Sequence, residues 1–292
     1  MPKRPLSRIS LSGLVARLEN ATALDRIATP VRTAIQQVLQ NRSLADVLHG
    51  VPLGHPLHPA LAQGALGSFV SATVLDALPG PRVSSRVLIG VGLACAAPAV
   101  ASGYADWAQG HEQQQRVGLV HSAANALGVA CYAGSLLARG PRGRTLSFAG
   151  FAAVGLGGFL GGHLAYRQAS GANHVEDVPH LVEPGWQDLC AVDDLPAEGA
   201  AAEQVLAGTV PISLLVARTG GAVRVLASQC SHMSGPLFQG TVAEGCVTCP
   251  WHGSVFDLAD GSVVHGPATS PQPSFRTRVE AGRLQVLLPG AG

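Results

Sequence analysis

Four uninterrupted apolar stretches dominate the first half of the chain and constrain its fold more than any other feature. None contains Lys or Arg, and they lie near 59–79, 87–104, 117–138 and 146–166. Each is close to the roughly 20 residues that cross a bilayer as a helix. Only 13% of the residues are charged, against about 25% in an average soluble protein. The pattern predicts a four-helix transmembrane bundle over 55–168 and disfavours a buried soluble bundle.

The fourth apolar stretch carries closely spaced glycines. Gly157 pairs with Gly161, and Gly158 pairs with Gly162. This four-residue spacing of small residues lets helix backbones approach closely in lipid. It indicates that the bundle is compact.

Residues 1–54 are predicted to form an amphipathic helical segment ahead of the bundle. Apolar residues recur at helical spacing through 11–50, with a break at Pro30. Two placements fit this spacing: a helix lying on the membrane surface, and a helix packed on the rest of the protein. The basic start of the chain, 1–20, resembles neither a secretory signal peptide nor a twin-arginine signal.

The pattern changes after a polar linker at 169–185. From 186 to 292, short runs rich in β-branched residues alternate with Gly-containing turns such as Thr219-Gly220-Gly221. This alternation predicts a small all-β domain. The expected fold class is therefore α plus β in separate domains, with the four-helix transmembrane bundle followed by the β domain.

Two short Cys/His motifs lie inside the predicted β domain. One is Cys230-Ser231-His232, and the other is Cys249-Pro250-Trp251-His252. Together they offer two thiolates and two imidazoles. This set suits a [2Fe–2S] cluster with Cys on one iron and His on the other. The same four residues also suit a tetrahedral zinc ion, so the spacing alone leaves both metals open.

The longer sequence around these motifs resembles the Rieske [2Fe–2S] family. The resemblance is carried by CSHMSGPLFQG and CPWHGSVFDLADGSVVHGPA and extends over about 186–288. It implies a Rieske-type cluster with Cys230, His232, Cys249 and His252 as metal ligands. A one-electron carrier is the function that this resemblance implies.

Within that family the chain is similar to the low-potential ferredoxins. High-potential members have two further cysteines that form a disulfide over the cluster, and Gly235 and Trp251 occupy those places here. Ser254 matches a serine that hydrogen-bonds the cluster, whereas Phe256 replaces a tyrosine with the same role. Because hydrogen bonds to cluster sulfur tune the potential, the resemblance implies a potential below the high-potential type.

Three histidines in the apolar region are candidates for a second site. An up-and-down bundle would place His58, His121 and His163 on the side that carries the β domain. Ionisable residues in membrane helices indicate functional sites by default. Four readings stay open: interfacial side chains without a cofactor, ligands of haem b, a quinone-binding pocket, or another metal site. The opening GHPLHP also resembles an uncharacterised bacterial four-helix membrane family over about 40–170, which implies a shape but no reaction.

These features predict a membrane-anchored electron-transfer protein. Its partners would be a redox partner protein or quinone, together with the lipid bilayer. The alternative is a tethered ferredoxin that supplies electrons to a separate oxygenase. A complete oxygenase is disfavoured because only 40 residues follow His252. A net charge of +1 and 4% aromatic residues argue against a nucleic-acid partner.

The predicted location is the cell membrane, with several passes. Loop arginines favour placing the β domain outside, because the far-side loops are the more basic ones; these arginines are Arg82, Arg86, Arg139, Arg142 and Arg144. The basic N-terminal tail and the missing disulfide favour the opposite orientation. We predict a cytoplasmic Rieske domain.

Overall fold

The chain folds into two compact units. A computed structural model describes residues 11–138, 140–181, 184–206 and 210–288. One unit comprises the chain up to 41 together with 57–170, and the other comprises 42–56 together with the chain from 171 onward. The expectations for the first ten residues and for Arg139 lie outside the described residues.

The first unit is helical. Its elements are α1 (Leu11–Glu19), α2 (Asp25–Val38), α4 (Leu57–Ala77), α5 (Val83–Trp107), α6 (Glu112–Leu137) and α7 (Pro141–Gly162), and α7 continues as a π-helical turn, His163–Arg167. The intervening helix α3 (Arg42–His49) belongs to the second unit.

The four long helices pack in a ring. Helix α4 lies against α5 and α7, and α6 lies against the same two helices. Small side chains allow close approach: a Cβ on Gly92 would lie 2.5 Å from the Phe69 ring. Phe69 in turn stacks on Tyr132, with ring centres 4.2 Å apart. The core of this unit therefore combines glycine with two stacked aromatic rings.

Three helices of the described residues are long and apolar enough to cross a membrane. They are Val83–Trp107, Glu112–Leu137 and Pro141–Arg167, and only 22–28% of each apolar window is buried inside the protein. The first long helix, Leu57–Ala77, does not join them, since its 21 residues include His58, Gln63 and Asp76. The predicted count of four membrane-crossing helices is therefore not confirmed.

The N-terminal helices pack on the bundle. Val15 of α1 is buried against Val117 of α6 and Leu160 of α7. Arg116 makes a two-pronged ion pair with Asp25, with both N–O distances at 2.7 Å. Of the two placements that the sequence leaves open, the structure has α1 and α2 packed on the protein.

The second unit is built from ten described strands. They are β1 (Gly185–Ala191), β2 (Ala201–Leu206), β3 (Ile212–Thr219), β4 (Ala222–Ala227), β5 (Thr241–Ala243), β6 (Cys246–Thr248), β7 (Val255–Asp257), β8 (Val263–His265), β9 (Ser274–Glu280) and β10 (Arg283–Leu288). One sheet has the order β1-β10-β9-β4-β3-β2, and the smaller sheet runs β5-β6-β7-β8. The pairs are antiparallel, which confirms the predicted all-β domain.

The segment 42–56 packs with the β unit, although its sequence reads as part of a continuous N-terminal helical segment. Asp46 of α3 accepts a hydrogen bond from the backbone N–H of Gly266 at 2.9 Å. Its other oxygen lies 2.8 Å from Nδ1 of His265. These two long-range contacts join 42–56 to the β unit, while the predicted bounds of the N-terminal segment, 1–54, stay a prediction.

Candidate metal centre

Two similar loops bring the Cys/His motifs together. In the first, the Cys230 N–H donates to the carbonyl of Gly235 at 2.8 Å. In the second, the Cys249 N–H donates to the carbonyl of Ser254 at 2.8 Å. Each loop reverses sharply, and Met233, Ser234 and Gly253 adopt positive φ angles of 57°, 58° and 75°. Such angles cost little for glycine and more for other residues, so the first loop holds Met233 and Ser234 in a strained backbone.

The two cysteine sulfurs lie side by side in the interior. Cys230 is 0% exposed and Cys249 is 2% exposed, and the two side chains share a hydrogen bond. This bond, aided by the N–H groups of Trp251 and His252, lowers the pKa of Cys249 to about 6. The pKa of Cys230 is raised because the pair shares one proton and is buried. Cys249 is thus held as a thiolate, which is the form that binds metals.

The two histidine rings face the same site. The ring centres of His232 and His252 are 5.0 Å apart, and the rings are perpendicular. Burial, and then the neighbouring His252, His49 and His174, lower the pKa of His232 to about 3. Neutral imidazole, the metal-binding form, therefore predominates at His232 near neutral pH.

The ring nitrogen Nδ1 of His232 is buried and has no hydrogen-bond partner among the residues that the structure describes. Buried polar atoms in native proteins are almost always paired, so an orphaned nitrogen beside two sulfurs needs another partner. A metal cluster would satisfy it, and the residues present fit that group.

Ser254 and Gly235 complete the lining of the site. The Ser254 hydroxyl is fully buried, donates to the sulfur of Cys230, and accepts the Ala268 N–H at 3.0 Å. Phe256 is also fully buried and packs in the same cluster as both cysteines. A Cβ on Gly235 would lie 2.8 Å from the Cys249 sulfur and 3.4 Å from the Trp251 ring. Gly235 and Trp251 are therefore neighbours across the two loops.

Three residues near the site lie outside the two Cys/His motifs and could not be predicted from them. Gln272 accepts the Ser231 N–H at 2.7 Å and donates to the carbonyl of Ala227 at 3.0 Å, which fixes the first loop. His49 of α3 and His174 lie close enough to His232 to influence its charge. Gln272 lies within a Pro-rich run that hints at a loop. His49 precedes His232 by more than 180 residues and carries no local signal.

The helical unit brings two of its three candidate histidines together. The ring centres of His58 and His121 are 6.3 Å apart, with an angle of 80° between the rings. The third candidate, His163, instead places Nε2 2.8 Å from a carboxylate oxygen of Glu19.

Comparisons with known proteins identify the family and relatives of the β unit. A family model for the Rieske [2Fe-2S] domain matches residues 185–276. The ferredoxin subunit of anthranilate 1,2-dioxygenase from Burkholderia cepacia is 33% identical over 101 residues, which are 35% of this chain and 90% of that protein. The ferredoxin subunit of 3-phenylpropionate/cinnamic acid dioxygenase from Escherichia coli K12 is 32% identical over 103 residues, covering 35% and 92%.

Among solved structures, the ferredoxin of carbazole 1,9a-dioxygenase from Nocardioides aromaticivorans IC177 is 24% identical. It aligns with a TM-score of 0.32, covering 37% of this chain and 100% of that protein. The family match does not reach 40–170, so the resemblance of that region to a four-helix membrane family stays a prediction. Through residues 185–276 the chain belongs to the Rieske [2Fe–2S] family, and this domain implies a [2Fe–2S] cluster.

Proposed function

We propose that the protein is a membrane-anchored one-electron carrier whose Rieske domain exchanges electrons with a partner protein. The observation that carries this proposal is the convergence of two buried sulfurs and two perpendicular imidazoles on one site. A [2Fe–2S] cluster bound there would supply one-electron chemistry. The chain's own contribution is to hold the cluster ligands in place and to keep water away from them.

The proposed ligands are Cys230, His232, Cys249 and His252. The cysteines offer buried sulfurs that accept backbone N–H groups, and His232, the neighbour of His252, offers a ring whose lowered pKa keeps it neutral. Ser254 is proposed to tune the potential through its bond to the Cys230 sulfur. Backbone and hydroxyl donors to cluster sulfur stabilise the reduced state.

The ligand proposal is tested by replacing one histidine in the full chain. His232→Ala is expected to abolish the Rieske electron paramagnetic resonance signal and to lower the iron content. His180→Ala is the matched control, because that side chain is 68% exposed and lies in the same unit. An unchanged signal in His232→Ala would contradict the assignment, and so would purified protein that contains stoichiometric zinc and no iron.

The membrane part of the proposal rests on the three apolar helices. Their windows leave most residues accessible on the outside of the bundle, as expected for side chains that contact lipid. We place the protein in the cell membrane, with several passes and a cytoplasmic Rieske domain. Within the membrane, the electron partner of the Rieske domain would be a quinone or a haem bound by histidines of the helical unit.

A second candidate function is a tethered ferredoxin that serves a separate oxygenase. It is favoured by the relatives, two of which are ferredoxin subunits of dioxygenases. In this case the bundle is an anchor only. Reduction of the cluster by a quinol in purified protein would support the first function. Reduction by a soluble reductase alone, with no quinol response, would support the second.

A further inference from the structure

We infer that His58 and His121 are the two protein ligands of a transition-metal centre inside the helical bundle, with a haem iron as the metal. The inference extends the proposed function by naming the membrane-side redox group. It does not depend on the cluster ligands, which lie in the other unit.

Each of the two rings is fixed by one backbone carbonyl. Nδ1 of His58 lies 2.8 Å from the carbonyl of Ala99 on α5. Nδ1 of His121 lies 2.8 Å from the carbonyl of Gly157 on α7. A carbonyl only accepts hydrogen bonds, so Nδ1 of each ring must carry the proton, and Nε2 is left with the lone pair. Histidines that ligate metals nearly always donate the other ring N–H in this way.

The spacing of the two rings matches ligands on opposite sides of one metal. With about 2.0 Å from metal to nitrogen, each ring centre would lie about 3 Å from the metal. Two opposite rings would then stand about 6 Å apart, whereas two rings at a tetrahedral angle would stand about 5 Å apart. The observed separation of 6.3 Å fits the opposite arrangement, and His58 and His121 would hold a haem iron between them in this way.

The same spacing argues against a quinone held between the two rings. The two oxygens of a quinone are about 5 Å apart, and each hydrogen bond adds about 2.8 Å, so the gripping nitrogens would need to be about 11 Å apart. Ring centres at 6.3 Å leave too little room. A metal ion bound by both Nε2 atoms needs them only about 4 Å apart.

The neighbouring helices are built to admit the two rings. A Cβ on Gly103 of α5 would lie 2.7 Å from Nδ1 of His58, and one on Gly161 of α7 would lie 3.0 Å from the His121 ring. Asn125 donates to the backbone carbonyl of His121 at 3.0 Å. Its amide nitrogen is 3.3 Å from Nε2 and 3.4 Å from Nδ1 of the ring, and a nearly equidistant atom cannot lie along the Nε2 lone pair.

The third histidine is left out of this centre. Nε2 of His163 faces the Glu19 carboxylate at 2.8 Å, and Gln168 donates to the same oxygen at 3.2 Å. That nitrogen already has a partner. The structure therefore assigns two ligands rather than three.

The test uses the full chain, purified in detergent and titrated with haemin. We expect about one b-type haem per chain, measured by its absorption bands and by pyridine haemochrome. His58→Ala and His121→Ala should each lower haem binding at least tenfold while the Rieske signal is retained. His55→Ala, an exposed histidine three positions before His58, and His163→Gln should both bind haem normally.

Misfolding of the variants is controlled by chemical rescue. Addition of imidazole to His121→Gly should restore the haem spectrum, which a collapsed bundle would not allow. If the wild-type protein contains no haem but contains another metal that both variants lose, His58 and His121 are still the ligands and haem is rejected as the metal. The inference is overturned if the wild-type protein binds neither haemin nor any stoichiometric metal outside the cluster. That result would leave the Rieske assignment unaffected.

Discussion

At the residue scale, Ser254 links the cluster site to the loop behind it. Its hydroxyl donates to the Cys230 sulfur and accepts the buried Ala268 N–H. Ser254→Ala is expected to lower the reduction potential because the reduced, more negative cluster loses a donor. It should also destabilise the domain by about 1–3 kcal/mol, since the Ala268 N–H would lose its partner.

Voltammetry and thermal unfolding of the full chain would measure these two effects. Thr241→Ala removes an exposed hydroxyl on β5 and should change neither quantity. Phe256→Tyr, at a fully buried ring in the same cluster of side chains, is expected to raise the potential. A midpoint that is unchanged in Ser254→Ala would mean that the hydroxyl does not act on the cluster.

At the element scale, the Arg116–Asp25 ion pair contributes to the docking of α1 and α2 on α6. The hydrogen bond from Arg116 lowers the pKa of Asp25 below its ordinary value. A carboxyl whose pKa is lower in the folded state stabilises that state above its unfolded pKa of about 3.9, and this stabilisation is lost as the pH falls through the folded pKa. We therefore expect α1 and α2 to loosen from α6 on acidification below about pH 4.

Hydrogen exchange of the backbone amides in 11–38 would follow this change. Asp25→Asn should show fast exchange already at pH 7, with little further change on acidification. Glu112→Gln is the matched control, since Glu112 contacts the same guanidinium at 3.2 Å but is 77% exposed. Equal effects of the two substitutions would show that the arginine, rather than its pairing with Asp25, holds the helices.

At the scale of the whole molecule, the two units should respond differently to the same charge. Leu127 on α6 and Val279 on β9 are 60% and 58% exposed. If the outer face of α6 contacts lipid, an acidic residue at its middle costs about 2.5–3.5 kcal/mol on insertion. Leu127→Asp should therefore reduce the amount of chain that resists alkaline extraction from membranes several-fold. Val279→Asp should leave it unchanged, and similar behaviour of both variants would count against membrane insertion.

The cluster loops and the apolar helices could be predicted from sequence because their signals are local. Cys230 and His232 lie two residues apart, and Cys249 and His252 lie three residues apart. Each short motif therefore indicates a metal site without reference to the rest of the chain. Helix length and lack of charge are equally local, and they predicted three of the four proposed crossings. The fourth, Leu57–Ala77, is not confirmed, since His58, Gln63 and Asp76 lower its hydropathy.

The amino-acid sequence by itself determined the order of the two domains, the Rieske motif and the presence of polar histidines among apolar helices. Only the tertiary structure decided which groups those histidines contact, since His58 and His121 lie against backbone carbonyls of α5 and α7 and His163 lies against the Glu19 carboxylate. It also decided that 42–56 packs with the β unit through Asp46. The physical reason is that such contacts join residues 36 to 220 positions apart, and periodicity within a short window carries no information about them.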